Sequence, residues 1–218
     1  MNLSNRSLEI LRNFSSINPS LLFEEGSTLR TISPTKTVLA RANIENSIES
    51  TFAIYDLSRF LGVVSLFENT PDLEIEEKKL NIMAAGRRVS YTFADPSTIV
   101  TPPNKEIQLP SPEVSFTMTS SMLSEITKAM GVMSFPELVV TGEDGKILLR
   151  ATDTKNPSAD KYDIEVGETD LEFNVVFKAE NMKLINGDYD VQISSKGLAK
   201  FSSKDVEYWI SIESNSTF

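Results

Sequence analysis

One stretch at the middle of the 218-residue chain constrains its fold more than any other: Thr101-Pro102-Pro103-Asn104-Lys105-Glu106-Ile107-Gln108-Leu109-Pro110-Ser111-Pro112. Each proline fixes φ at about −65° and removes a backbone donor, so four of them in so short a run exclude a helix or a central strand. The segment (101–112) reads as an extended, semi-rigid connector between an N-terminal domain, 1–106, and a C-terminal domain, 107–218. A long surface loop within one domain is the competing reading.

The halves on either side carry similar patterns. Leu8, Leu11 and Phe14 form an apolar stripe on a helix predicted over 4–14, with Arg6, Glu9 and Asn13 opposite. Asp56 stands where an N-cap belongs, ahead of Leu57, Phe60, Leu61 and Val64 at helical spacing. Beyond the connector, Ser120 or Ser121 can cap a helix bearing Met122, Ile126 and Met130, and a shorter helix is predicted over 178–185, stopped by Asn186-Gly187. The helix pair recurs at nearly the same spacing in each half, a repeat of architecture without matching sequence identity. Between the helices the pattern is that of antiparallel strands. Glu143-Asp144-Gly145 joins two apolar runs as a hairpin turn, and Tyr189, Val191, Ile193 and Val206, Tyr208, Ile210 alternate with polar residues. Leu171, Phe173, Val175 and Phe177 alternate likewise, as do segments around 28–42 and 72–93. The expected class is α+β, with two similar domains of antiparallel sheet and two short helices in each.

The chain holds neither Cys nor His. Disulfides, thiol nucleophiles, cysteine-based zinc sites and every triad or metal site built on imidazole are therefore excluded. Gly142-Glu143-Asp144-Gly145-Lys146 lacks the glycine spacing of a phosphate-cradling loop. Asp72, Glu74, Glu76 and Glu77 alternate with Leu73 and Ile75 as a solvated strand edge does, and Asp153, Asp160 and Asp163 lack the glycine and terminal Glu of a calcium loop. No catalytic residues, no metal site and no cofactor are expected.

Lys and Arg number 21 against 31 Asp and Glu, a net charge of −10. The predicted helices run against that balance. They hold Arg6, Arg12, Arg59, Lys128, Lys178 and Lys183 against Glu9, Asp56, Glu125 and Glu180. Mildly basic helices on an acidic body suit a protein that touches phosphates weakly on one surface and repels them elsewhere; a chance distribution over exposed helices is the plainer reading. The acidic excess, concentrated in the second half, also fits a monomeric adaptor or DNA-mimicking protein that meets a basic partner. Trp209, the sole tryptophan, points to the face opposite Tyr208 and Ile210, where either a partner pocket or a second packed face would hold it. The longest apolar runs, such as Leu61-Gly62-Val63-Val64, fall far short of the roughly 20 residues of a membrane span, and the first residues lack a signal-peptide pattern. A cytoplasmic protein without a membrane partner is expected.

Several segments, taken in order, resemble the DNA sliding clamps of T-even-type bacteriophages, the polymerase processivity factors. They are Phe52-Ala53-Ile54-Tyr55-Asp56-Leu57-Ser58-Arg59-Phe60-Leu61-Gly62, Ala94-Asp95-Pro96-Ser97-Thr98-Ile99-Val100, Asn181-Met182-Lys183 through Gly187-Asp188-Tyr189, the Lys196-Gly197 turn and Ala199-Lys200-Phe201. Leu3-Ser4 to Asn13-Phe14 and the ending Ile212 to Phe218 fit as well. The resemblance implies a homotrimeric ring around duplex DNA, with sheets outside and the short helices lining the hole. Arg6, Arg12, Arg59, Lys128, Lys178 and Lys183 would then face phosphates. It further implies a clamp-loader ATPase and the replicative DNA polymerase as partners. The polymerase would dock a hydrophobic peptide near the connector, for which Ile107, Leu109 and Trp209 are the groove candidates. A late-transcription sigma-like factor and co-activator with host RNA polymerase are implied too, all in the cytoplasm of an infected bacterial host.

Overall fold

The computed structural model describes residues 2–105 and 107–218; Glu106, at the expected domain boundary, lies outside them. The chain divides into two compact units, Met1–Lys105 and Glu106–Phe218. The described residues of 101–112 form no helix or strand, as four prolines require.

The first unit runs α1 (Asn5–Ile17), β1 (Leu21–Phe23), β2 (Gly26–Ile32), β3 (Val38–Ile48), β4 (Phe52–Ile54), α2 (Leu57–Val64), β5 (Asp72–Ile75), β6 (Lys79–Ala84) and β7 (Arg87–Thr92). The second runs β8 (Val114–Met118), α3 (Ser120–Met133), β9 (Glu137–Glu143), β10 (Lys146–Thr152), β11 (Tyr162–Glu168), β12 (Phe173–Lys178), a 3₁₀ turn (Ala179–Asn181), β13 (Tyr189–Ser194), β14 (Leu198–Ser202) and β15 (Val206–Ser211). With β8 and the 3₁₀ turn Pro96–Thr98 set aside, both follow one order: a helix, four strands, a second helix or 3₁₀ turn, three strands. The pairing repeats as well. β1 pairs with β4 as β9 does with β12, β2 with β3 as β10 does with β11, and β5-β6-β7 forms a meander like β13-β14-β15. The architecture is α+β, as the patterning predicts.

Local chemistry explains the element ends. Ser4 caps α1 by accepting from the Ser7 amide at 3.1 Å. The helix continues three residues beyond the expected Phe14 because Ile17 prolongs the stripe of Ile10, Leu11 and Phe14, all buried against β2 and β3; Leu8 is only half-buried. Each such side chain removed from water contributes about 1.5–3 kcal/mol. Asn18 ends the helix and is fully employed. Its Nδ2 donates to the Ile32 and Val100 carbonyls at 3.0 Å each, and its Oδ1 accepts from the Ser20 amide and hydroxyl. α3 is capped by Thr119 rather than Ser120 or Ser121, and its buried stripe is Leu123, Ile126 and Met130, with Met122 at the border. Asp144 and Gly145 both take left-handed φ, +51° and +78°, so the β9–β10 hairpin has the two-residue turn its sequence signals.

The expected fourth helix, 178–185, is not one: only Ala179–Asn181 turn, as 3₁₀. Lys178 supplies no side-chain cap, whereas Asp56 holds the start of α2 through the Arg59 amide at 2.8 Å. Without a cap, so short a segment cannot offset the cost of helix nucleation. Tertiary bonds fix it instead. Tyr189 Oη donates to the Ile185 carbonyl at 2.6 Å and Tyr208 Oη accepts from the Ile185 amide at 3.3 Å. Leu171, expected in strand alternation, precedes β12 and is exposed.

Aromatic rings link the core of each unit. Phe23 stacks on Phe52 at 4.6 Å, Phe52 on Phe93 at 4.7 Å, and Phe60 meets Tyr91 edge-on at 5.6 Å, joining β1, β4, α2 and β7. In the second unit Phe201 meets Phe177 and Tyr189 at 6.0 and 6.5 Å.

Arg150 on β10 ties three strands together. It reaches Glu143 of β9 at 2.5 and 3.0 Å and Asp163 of β11 at 2.8 Å through two nitrogens, with its own side chain only 12% exposed. The Arg150 hydrogen bond holds the Glu143 carboxyl below its ordinary value of 4.5. A depressed carboxyl stabilises the fold above that ordinary value, and the contribution is lost as pH falls through the lower, folded one. Replacing Arg150 with Met should therefore cost about 1 kcal/mol at pH 7, a modest figure because both acids are substantially hydrated. The difference from the parent should shrink on acidification below about pH 4. Urea melts of both chains at pH 7 and pH 3 check this; an equal gap at both pH values would contradict it.

Candidate nucleic-acid interface

The six cations singled out by sequence separate into three kinds of position. Arg12, Arg59 and Lys128 are exposed on α1, α2 and α3, opposite each helix's buried stripe, with no ion pair among the described residues. Arg6 is half-buried and bridges to Glu9 at 2.8 Å, one helical turn on. Lys178 ends β12 rather than lying on a helix, and its ammonium is 3.4 Å from Glu213. Lys183 follows the 3₁₀ turn and is half-buried. The expectation of a helix carrying Lys178 and Lys183 is thus corrected: Lys178 closes β12, and Lys183 follows the 3₁₀ turn that occupies α2's place in the repeat.

Within each unit the structure draws some of these residues together. α1 packs beside α2, whose first amide, at Leu57, donates to the Pro19 carbonyl at 2.7 Å, so Arg6, Arg12 and Arg59 share one helix pair. Arg59 also borders a hollow of about 380 Å³ walled by Tyr55, Tyr91 and Phe93. In the second unit Lys128 edges a groove of about 370 Å³ between α3 and the segment after the 3₁₀ turn, lined by Leu123, Ser124, Thr127, Leu184 and Asn186. Ser124 Oγ donates to Asn186 Oδ1 at 3.0 Å across it. This hydroxyl-rich face escaped sequence reasoning, since serine and threonine at helical spacing carry no charge signal. Asp188 closes the arrangement by accepting from the Ser120 amide at 2.7 Å, at the start of α3.

Such a surface binds anions weakly. Exposed lysine and arginine offer charge-assisted donors, and hydroxyl and amide groups add neutral ones that fit any phosphate. Among the described residues no acidic cluster has the arrangement of a metal site, and no helix is long and apolar enough to cross a membrane.

The three groove candidates lie in different surroundings. Ile107 and Leu109 are half-buried on the connector. Trp209 of β15 is 5% exposed, with Lys200 Nζ 5.1 Å from its ring centre and Lys200 itself paired to Glu207 at 2.6 Å. Of the two readings of Trp209, burial favours the packed face over an open pocket. The resembling segments have structural work throughout: Asp95 accepts from the Ser97 amide at 2.9 Å, Phe60 and Phe201 fill the cores, and Gly197 takes φ +96° in the β13–β14 turn.

Two α+β units that repeat one order of helix and antiparallel strand within a single chain define the DNA-clamp class of fold. Comparison with known proteins agrees. Residues 4–101 match the family described as DNA polymerase processivity factor, and residues 115–214 match gp45 sliding clamp, C terminal. The sliding clamp of Escherichia phage RB69 is 32% identical over 100% of this chain and 99% of its own. That of Vibrio phage KVP40 is 30% identical over 98% of this chain and 99% of its own. Among solved structures, the proliferating cellular nuclear antigen of Entamoeba histolytica superposes with a TM-score of 0.70 over 94% of each chain at 9% identity, a likeness of fold. The chain belongs to the bacteriophage sliding clamp family of DNA polymerase processivity factors.

Proposed function

We propose that three copies of this chain close head to tail into a ring around duplex DNA and tether the replicative polymerase to its template. The reading rests chiefly on similarity to phage sliding clamps that runs through both units from end to end. The exposed Arg12, Arg59 and Lys128, without an ion pair among the described residues, would face the phosphates, with Arg6, Lys178 and Lys183 in lesser roles because salt bridges or partial burial engage them. Weak, sparse binding suits sliding. Each neutralised phosphate adds affinity and salt dependence, and many would brake motion along DNA. Phosphate binding also carries no sequence information, which a tether working at any sequence needs. Retention then comes from closure of the ring, and the protein works without catalysis.

A clamp-loader ATPase would open the ring, since the chain has no nucleotide-binding loop of its own. Ile107 and Leu109 on the connector would seat the polymerase's hydrophobic peptide. A sigma-like factor and co-activator with host RNA polymerase would use the same tether for late transcription, in the cytoplasm of the infected bacterium.

Light scattering across a dilution series tests the assembly. Expected is a species near three times the 24.2 kDa chain mass that dissociates on dilution. A single-chain mass at every concentration would overturn the ring and favour the acidic adaptor.

A further inference from the structure

β12 is an edge strand of its sheet, in the order β11-β10-β9-β12. Its inward backbone groups pair with β9, and its outward groups belong to Asn174 and Val176. The last six residues of the sequence, 213–218, meet those outward groups. The Asn174 amide donates to the Thr217 carbonyl at 2.9 Å, and the Thr217 amide returns a bond at 2.8 Å. The Val176 carbonyl accepts from the Glu213 amide at 2.9 Å, and the Val176 amide donates to Ser216 Oγ at 3.0 Å. Glu213 adds its ion pair to Lys178, and Phe218 stacks on Phe173 at 6.4 Å between centroids.

Beneath this strap lies Phe173-Asn174-Val175-Val176-Phe177, apolar but for Asn174, uncharged and free of proline. Phe173, Val175, Val176 and Phe177 are 0–5% exposed. High β-propensity, low charge and an edge position together make a template for intermolecular strand pairing. The strap is also lightly held: Ser214, Asn215, Thr217 and Phe218 are exposed, and it makes one isolated bridge rather than a strand. Segments that bury little apolar surface open ahead of the body they cover.

We propose that residues 213–218 are a detachable cap over a latent interaction surface, the β12 edge, and that the partner this edge fits is the same edge of a second copy. Antiparallel pairing of two β12 strands would satisfy the outward groups of Asn174 and Val176 that the cap now serves. This pairing is isologous, so it would join assemblies to one another rather than close one ring.

A chain ending at Ile212 tests the proposal against the full chain at equal concentration. Expected are species larger than any the full chain forms, and their suppression by Asn174→Asp, an isosteric change that places charge on the exposed edge. A folded truncated chain with the mass distribution of the full one would overturn the proposal. Should the shortened chain lose its fold, amide exchange in the full chain decides. The Asn174, Val176 and Thr217 amides should exchange together, at least ~10-fold faster than those of Val175 and Phe177. Equal protection across β12 would overturn the detachable cap.

Discussion

Gly142→Ala collapses the second unit well below the melting temperature of the parent chain. Gly142 lies in β9 between Ile147 of β10 and Phe173 of β12. A Cβ there would overlap the Leu171 carbonyl oxygen and sit 2.6 and 2.8 Å from ring carbons of Phe173. The first obstacle is backbone and the second a ring packed in the strand beside it, so neither can move aside by a rotamer change. Overpacking of this kind costs roughly 3 kcal/mol or more, at the upper end for a single methyl group. In a unit of this size that lowers the transition by about 10 °C or more. Gly145→Ala is the informative control. Its Cβ meets open space, but φ is +78°, so the change should cost only about 1–2 kcal/mol from left-handed strain. Trp209 is the only tryptophan and lies in the second unit, so its fluorescence reports that unit's unfolding. Equal melting of the two variants would contradict the packing assignment.

Replacing Arg12, Arg59 and Lys128 together with Ala leaves the fold intact and strips most of the electrostatic hold on DNA. All three side chains are exposed and unpaired among the described residues, so far-UV circular dichroism and melting should hardly change. Each phosphate left without its cation should flatten the dependence of log K on log salt by about 0.9 for duplex DNA, hence by roughly 2 to 3 for each subunit whose three cations lie against the duplex and up to about 8 for a ring of three. Lys178→Ala should flatten it far less, because Glu213 already engages that ammonium. Capture on nicked plasmid between about 50 and 200 mM salt gives both slopes. Equal slopes for the triple variant and its parent would place DNA on another surface.

Local signals carried far in this chain where chemistry and sequence neighbours coincide. The prolines of the connector, Asp56 as a cap, the Asp144-Gly145 turn and the stripe of Leu11 and Phe14 each act through residues a few positions away. The 178–185 segment misled because its composition is helical while what decides its shape is remote. Two buried tyrosine hydroxyls, at 189 and 208, hold the Ile185 backbone. The same distance in sequence hides the compensation of Lys178 by Glu213, and so overstates the basic surface. Alternation placed Trp209 on the second face of β15, but whether that face is covered depends on packing that no local pattern encodes. Gly142, between two strands and under Leu171, reads in the sequence as nothing more than a turn-flanking glycine.

Under the proposed function the protein is held on DNA by closure and not by affinity. Assemble it on a nicked circular plasmid with its loader, wash in salt high enough to screen the phosphates, and then cut the circle once. Retention before the cut and release through the free ends after it is the predicted result. Persistence on the linear DNA, or no retention on the circle, would contradict the account.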